Sequence, residues 1–225
     1  VDRDLVEYVS GGDLDEVVMA PPLNTDAVVG AAYRPRVGYM QPRELALEFV
    51  ERARENGVTF ETGAEVTEVT TGGGRVSGLV VDGEGAAADE VVCAAGPWNV
   101  EMARSVGVDL PVGHTLAPIM KLRPPRPAEY TFPEIGHHES PYAFYRQAAR
   151  DPGMFYVGYN PTREIGHGER FEDVARELDP DEVGETVPDD IREGAWEVAE
   201  ELLPSLLGAE VVDEWTGVRS ATPDG

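Results

Sequence analysis

Cysteine and lysine are almost missing from this 225-residue chain, which has one of each, Cys93 and Lys121. A single cysteine excludes an internal disulfide and every multi-cysteine zinc or iron–sulfur site. Basic residues of any kind are few: 18 stand against 43 acids, a formal net charge of −25 with a pI near 4.3. Phosphate binding needs a basic field, so nucleic acid is not an expected partner. No run approaches the roughly 20 apolar residues of a membrane span, and no charged-then-apolar leader is read at Val1. No membrane partner and a cytoplasmic location are the expectations. Because the first residue is not methionine, the chain is also expected to come from something longer.

What is present is a globular composition. The chain is 41% hydrophobic, and its length suits one large domain or two small ones burying about 70–75% of the unfolded surface. The acids run from Asp2 to Asp224 and form no tail. Self-repulsion at −25 opposes a compact state in dilute salt, whereas at about 1 M salt the screening length falls to roughly 3 Å. A salt-rich, halophilic cytoplasm is therefore expected.

The periodicity changes along the chain. Short helical pieces are read at Asp4–Val9 and Asp13–Met19, and a strand at Ala27–Tyr33. Pro42 opens an amphipathic helix whose stripe is Leu45, Ala46, Phe49, Val50 and Ala53, stopped by Asn56–Gly57. Period two follows: strands at Val58–Thr62, Glu65–Thr71 and Arg75–Val81, with turns at Gly72–Gly74 and Asp82–Gly83. Ala87–Ala95 reads as a strand with an unbroken apolar end, the texture of burial on both faces of a parallel sheet. A helix is expected at Trp98–Val106. Beyond Pro111 prolines cluster and the strands Thr115–Leu122, Tyr142–Gln147 and Met154–Tyr159 look antiparallel. A helix at Phe171–Leu178, a second one opened by Pro188 with Ile191, Ala195, Val198, Ala199 and Leu202 buried, and a strand at Val211–Trp215 complete the reading.

Several motifs carry less than they suggest. Gly83-x-Gly85-x-x-Ala88 matches a dinucleotide pattern, but a hairpin turn and a strand are read there where the chemistry needs a helix N-terminus. His137, His138 and Glu139, with His167 and Glu169, lack helical pairing and read as exposed loop residues, so no metal is expected. Cys93 in its apolar strand reads as a core thiol.

Two stretches are more specific. The first has Gly30-Ala-Ala-Tyr33, Gly38-Tyr39-Met40-Gln41-Pro42, the amphipathic helix, Gly57-Val58-Thr59-Phe60, the meander, and Val91-Val92-Cys93-Ala94-Ala95-Gly96-Pro97-Trp98. The second is Gly217-Val218-Arg219-Ser220-Ala221-Thr222-Pro223-Asp224-Gly225. In this order and spacing they resemble the FAD-dependent oxidoreductases of the D-amino-acid oxidase, glycine oxidase and sarcosine oxidase type. The resemblance implies an α/β (α+β) fold: a partial FAD-binding dinucleotide-fold layer plus an antiparallel-sheet substrate domain. Residues 1–40 and 113–215 would form the substrate domain, 41–112 the FAD-binding layer, and 216–225 the return to it.

The same resemblance implies roles. Val66, Ala95, Gly96, Trp98, Asp224 and Gly225 would contact FAD. Arg219 would clamp the substrate carboxylate, because a planar guanidinium gives two parallel charge-assisted bonds. The implied reaction is hydride transfer from a small amine or amino acid to flavin, the cofactor supplying the redox chemistry. Sarcosine oxidases place an oxygen-activating lysine on a strand similar to Phe155–Tyr159; here Tyr156 stands there, which makes a dehydrogenase as well supported as an oxidase. The family's phosphate-binding loop would lie before residue 1, so FAD affinity of these residues alone is expected to be very low. Alternatives are an inactive small-amino-acid-binding module, or a scaffold subunit docked to another flavoprotein subunit or to its own copy.

Overall fold

The computed structural model describes residues 6–17, 23–127, 133–137, 142–160 and 186–222. The backbone forms two compact units. One holds residues 33–95 and 99–109 with the extreme N-terminus; the other holds residues 8–32, 96–98 and 110–225.

The chain opens with β1 (Glu7–Ser10), one helical turn α1 (Leu14–Val17) and β2 (Gly30–Tyr33), with β1 and β2 paired. Glu7–Val9 is thus strand and not helix: a cross-strand partner overrides weak local preference. The predicted helix is α2 (Pro42–Glu55), with proline in its first turn, an Arg52–Glu48 ion pair at 2.8 Å, and Gly57 at φ +86° just past its end. Its apolar stripe is covered in part: Leu45, Val50 and Ala53 are half-buried, whereas Phe49 is 64% exposed.

Next come β3 (Val66–Gly72), β4 (Arg75–Val81) and β5 (Glu84–Ala87), an antiparallel three-stranded sheet. Its two turns are two-residue hairpins. Gly73–Gly74 have φ +60° and +79°, and Asp82–Gly83 have φ +50° and +82°, the left-handed pair that suits strand twist. The Gly83-x-Gly85 match is therefore a hairpin.

Two expected strands do not form. Residues 58–62 and 88–95 carry no ladder, and Val92 is 91% exposed. A parallel strand takes its hydrogen bonds wholly from neighbouring strands, and neither segment is paired with one among the described residues. Cys93 is correspondingly exposed, a correction to its reading as a core thiol. The helix α3 (Asn99–Ser105) follows.

The second unit is a five-stranded antiparallel sheet backed by a helix. Its strands are β6 (Gly113–Arg123), β7 (Ile135–His137), β8 (Tyr142–Ala148), β9 (Asp151–Asn160) and β10 (Glu210–Ala221), in the order β10-β6-β9-β8-β7. The helix α4 (Asp189–Leu202) buries Ile191, Ala195, Val198, Ala199 and Leu202, the stripe read from the sequence. Against it lie Met120, Leu122, Tyr145, Phe155 and Val157. The Tyr145 hydroxyl donates to the Ala195 carbonyl at 3.3 Å, and Arg192 of α4 reaches Glu214 of β10 at 2.8 Å. The last strand, expected to stop at Trp215, stays paired to β6 as far as Ala221. The helix expected at Phe171–Leu178 lies outside the described residues.

Candidate functional site

Alternation gives the five-stranded sheet two faces. The register joins Glu214, Met120, Val157 and Tyr145 across four strands on the α4 side. The residues between them occupy the opposite face, again in rows. One row is Trp215–Ile119–Gly158–Phe144; the next, on one side, is Asp213–Lys121–Tyr156–Arg146. On the other side β10 and β6 continue with Gly217 opposite Ala117 and Arg219 opposite Thr115.

This face holds a small cleft, with room for roughly one water molecule, lined among the described residues by Ala117, Pro118, Ile119, Phe144, Gly158, Tyr159 and Arg219. Among the described residues of that lining, Arg219 carries the charge. Phe144 lies directly over Gly158, where a β-carbon would collide with the ring. Tyr159 borders the cleft while its ring packs against Gly194 of α4. Burial first, then the charges of Glu197 and Asp190, raises its phenol above the usual 10.0.

A second feature meets the same end of the sheet. Residues Gly96–Trp98 form one 3-10 turn. The Pro97 carbonyl lies 3.0 Å from Nε2 of His114, and His114 pairs with Ser220, next to Arg219. Gly96 sits at φ +58° with open space around the position of a β-carbon, so the turn needs glycine for its backbone angle. Just beyond, Oδ1 of Asn99 accepts the Ala95 N–H at 2.8 Å and the Cys93 thiol at 2.9 Å, which fixes residues 93–95 on the start of α3.

Of the residues singled out from the sequence, Arg219, Gly96 and Trp98 thus belong to one unit and one end of one sheet. Tyr156 shares the face but not the cleft: six residues along β6 separate the row of Arg219 from its own, roughly 20 Å. There its ring meets Trp215 edge-on, with centroids 5.9 Å apart, and Arg146 stacks over it at 4.9 Å. Lys121, the single lysine, stands directly opposite Tyr156 and 4.0 Å from Asp151. Val66 begins β3, and Ala95 precedes the turn, both in the other unit. Asp224 and Gly225 lie outside the described residues, as do His138, Glu139, His167 and Glu169. Among the described residues no three His, Cys, Asp or Glu groups gather as a metal site, and no helix is long and apolar enough to cross a membrane.

Sequence reasoning missed Asn99, His114, Phe144 and Gly158. Asn99 alone had a local signal, an amide side chain at a helix start. The others act through partners at least 14 residues away.

The family model described as DAO, FAD dependent oxidoreductase, matches residues 5–225. The chain belongs to the DAO family of FAD-dependent oxidoreductases. This DAO chain is 30% identical to a glycine oxidase of Pseudomonas putida over 75% of its own length and 40% of that protein. A glycine oxidase of Geobacillus kaustophilus is 27% identical over 98% of the chain and 52% of that protein. The solved L-proline dehydrogenase of P. horikoshii superposes with a TM-score of 0.75 at 17% identity, covering 97% of this chain and 54% of that one. The DAO chain thus spans about half or less of the length of the curated relatives it matches.

The DAO family is FAD dependent, so the described residues can be tested against that cofactor. A pyrophosphate needs backbone N–H groups at a helix N-terminus behind a glycine turn. Here both glycine-rich turns join antiparallel strands, and α2 begins with a proline that has no N–H to offer. Neither the two glycine-rich turns nor the start of α2 offers a cradle for the pyrophosphate.

Proposed function

We propose that this chain carries the substrate-recognition part of an FAD-dependent oxidoreductase that oxidises the C–N bond of a small amino acid or an N-methylated glycine. Arg219 is the carboxylate anchor. The observation that carries the reading is a guanidinium set among apolar walls on the free face of the sheet, at the end where His114 holds the Gly96–Trp98 turn. A carboxylate exchanging water for a two-pronged arginine contact in such surroundings is both held and oriented. Ala95, Gly96, Trp98 and Val66, with Asp224 and Gly225, are proposed to border the flavin in the whole protein, and Tyr156 to mark the far wall of the substrate face.

Calorimetry with glycine, sarcosine and D-amino acids, with and without FAD, tests the assignment. Binding that survives in wild type and falls at least tenfold in Arg219→Lys supports it; equal affinities in both refute the anchor. A second reading, an inactive small-amino-acid-binding module, keeps the Arg219 cleft without redox activity. It predicts affinities that FAD leaves unchanged. The location is proposed to be a salt-rich cytoplasm, on the strength of the −25 charge, and the exposed Phe49 of α2 is consistent with a further flavoprotein subunit or a second copy.

A further inference from the structure

The end of α2 carries a reactive pair. Asn56–Gly57 is the only Asn-Gly step in the chain, and both residues are exposed. Glycine has no β-carbon to shield its own backbone nitrogen, so that nitrogen can attack the asparagine side chain before it. The bond from Gly57 N to Asn56 Cγ forms, the Cγ–Nδ2 bond breaks and ammonia leaves, giving a five-membered succinimide. Water then opens one of its two carbonyls, to aspartate or to isoaspartate. No other reactant is needed and no oxidation state changes.

The helix end restrains this reaction. Asn56 is the cap at φ −92° and ψ 12°, and Gly57 follows at φ +86°. Gly57 N–H donates to the Arg54 carbonyl at 2.9 Å and Val58 N–H to the Ala53 carbonyl at 3.0 Å, the paired bonds of a helix closed by a left-handed glycine. Nδ2 of Asn56 donates to the Arg52 carbonyl at 2.8 Å. The attacking nitrogen and the leaving nitrogen are thus tied to different carbonyls of α2, and both ties must open before the ring can close. Helix ends fray, so this opening recurs.

We propose that Asn56 is a self-modification site gated by fraying of the last turn of α2, and that its conversion uncaps the helix. The carboxylate formed has no N–H for the Arg52 carbonyl. It also adds negative charge at the negative end of the helix dipole, directly after Glu55. Each conversion therefore loosens the turn that restrained it.

The test is peptide mapping by mass spectrometry after incubation of the full chain in alkaline buffer with molar KCl, folded or unfolded in urea. Aspartate and isoaspartate should accumulate at position 56 at least tenfold faster in the unfolded chain. Ala53→Gly weakens the last turn without touching the reacting pair, so it should speed conversion of the folded protein about fourfold and leave the unfolded rate unchanged. In Asn56→Asp, hydrogen-exchange protection of the Gly57 and Val58 amides should fall at least threefold. No conversion in the unfolded chain would overturn the site. Equal folded and unfolded rates would overturn the gate, and full protection in Asn56→Asp would overturn the uncapping.

Discussion

Gly194 offers a perturbation of one methyl group whose two effects oppose each other. It lies inside α4, where alanine ordinarily stabilises a helix by about 0.5–1 kcal/mol relative to glycine. Here its β-carbon would meet Oη, Cζ and Cε1 of Tyr159, all inside contact distance. Forcing a methyl into a packed core costs about 1–3 kcal/mol. The clash should win, and Gly194→Ala should lose about 1 kcal/mol. For a unit of about 150 residues that is a Tm lower by roughly 2–4 °C. Removing the ring should reverse the sign: in a Tyr159→Leu background the same alanine should add about 0.5–1 kcal/mol by propensity alone. Urea melts of the four proteins in molar KCl give the cycle. Additive effects, or a stabilising Gly194→Ala in the wild-type background, would refute the packing of Tyr159 on α4. Because Tyr159 follows Gly158 on β9, the alanine should also weaken ligand binding in the Arg219 cleft.

Three further outcomes follow from the same unit. Tyr145 and Tyr159 both have phenols raised above 10.0, chiefly by burial. Their contribution is full below about pH 10 and is lost as pH rises further, because the unfolded chain ionises first. Urea midpoints should fall as pH rises above about 10, and less steeply in Tyr145→Phe. Arg192 Nη2 reaches both Glu214 oxygens at 2.8 and 2.9 Å, and its Nε is buried without a partner among the described residues. Glu214→Leu should cost about 1–3 kcal/mol, between the values of exposed and buried pairs, while adding Arg192→Met should recover most of it. The −25 charge predicts a Tm that climbs steeply from dilute buffer to molar KCl; a flat response would remove the halophilic reading.

Local signals were legible in the sequence where one element carried them entire. The stripe Ile191, Ala195, Val198, Ala199 and Leu202 was readable because the helical period and the core coincide. Gly73–Gly74 and Asp82–Gly83 were readable because two-residue hairpins demand positive φ at both positions. The strand read at 58–62 from period two, and the one read at 87–95 from its apolar end, do not form beyond Ala87, because a strand's hydrogen bonds come from its neighbours and not from its own letters. The strand expected to stop at Trp215 runs on through Gly217 to Ala221, because its partner β6 continues alongside it. Arg219 was reached through family resemblance, whereas its cleft was not legible at all. The meeting of Ile119, Gly158 and Phe144 depends on register across three strands drawn from 40 residues of chain.

The central claim is that Arg219 binds a carboxylate, and the Nε–H resonance of its guanidinium reports this directly. In protein labelled with nitrogen-15 arginine, the resonance lost in Arg219→Lys should shift progressively and saturate as an amino acid is added. Calorimetric binding of the amino acid while that resonance stays in place would contradict the account.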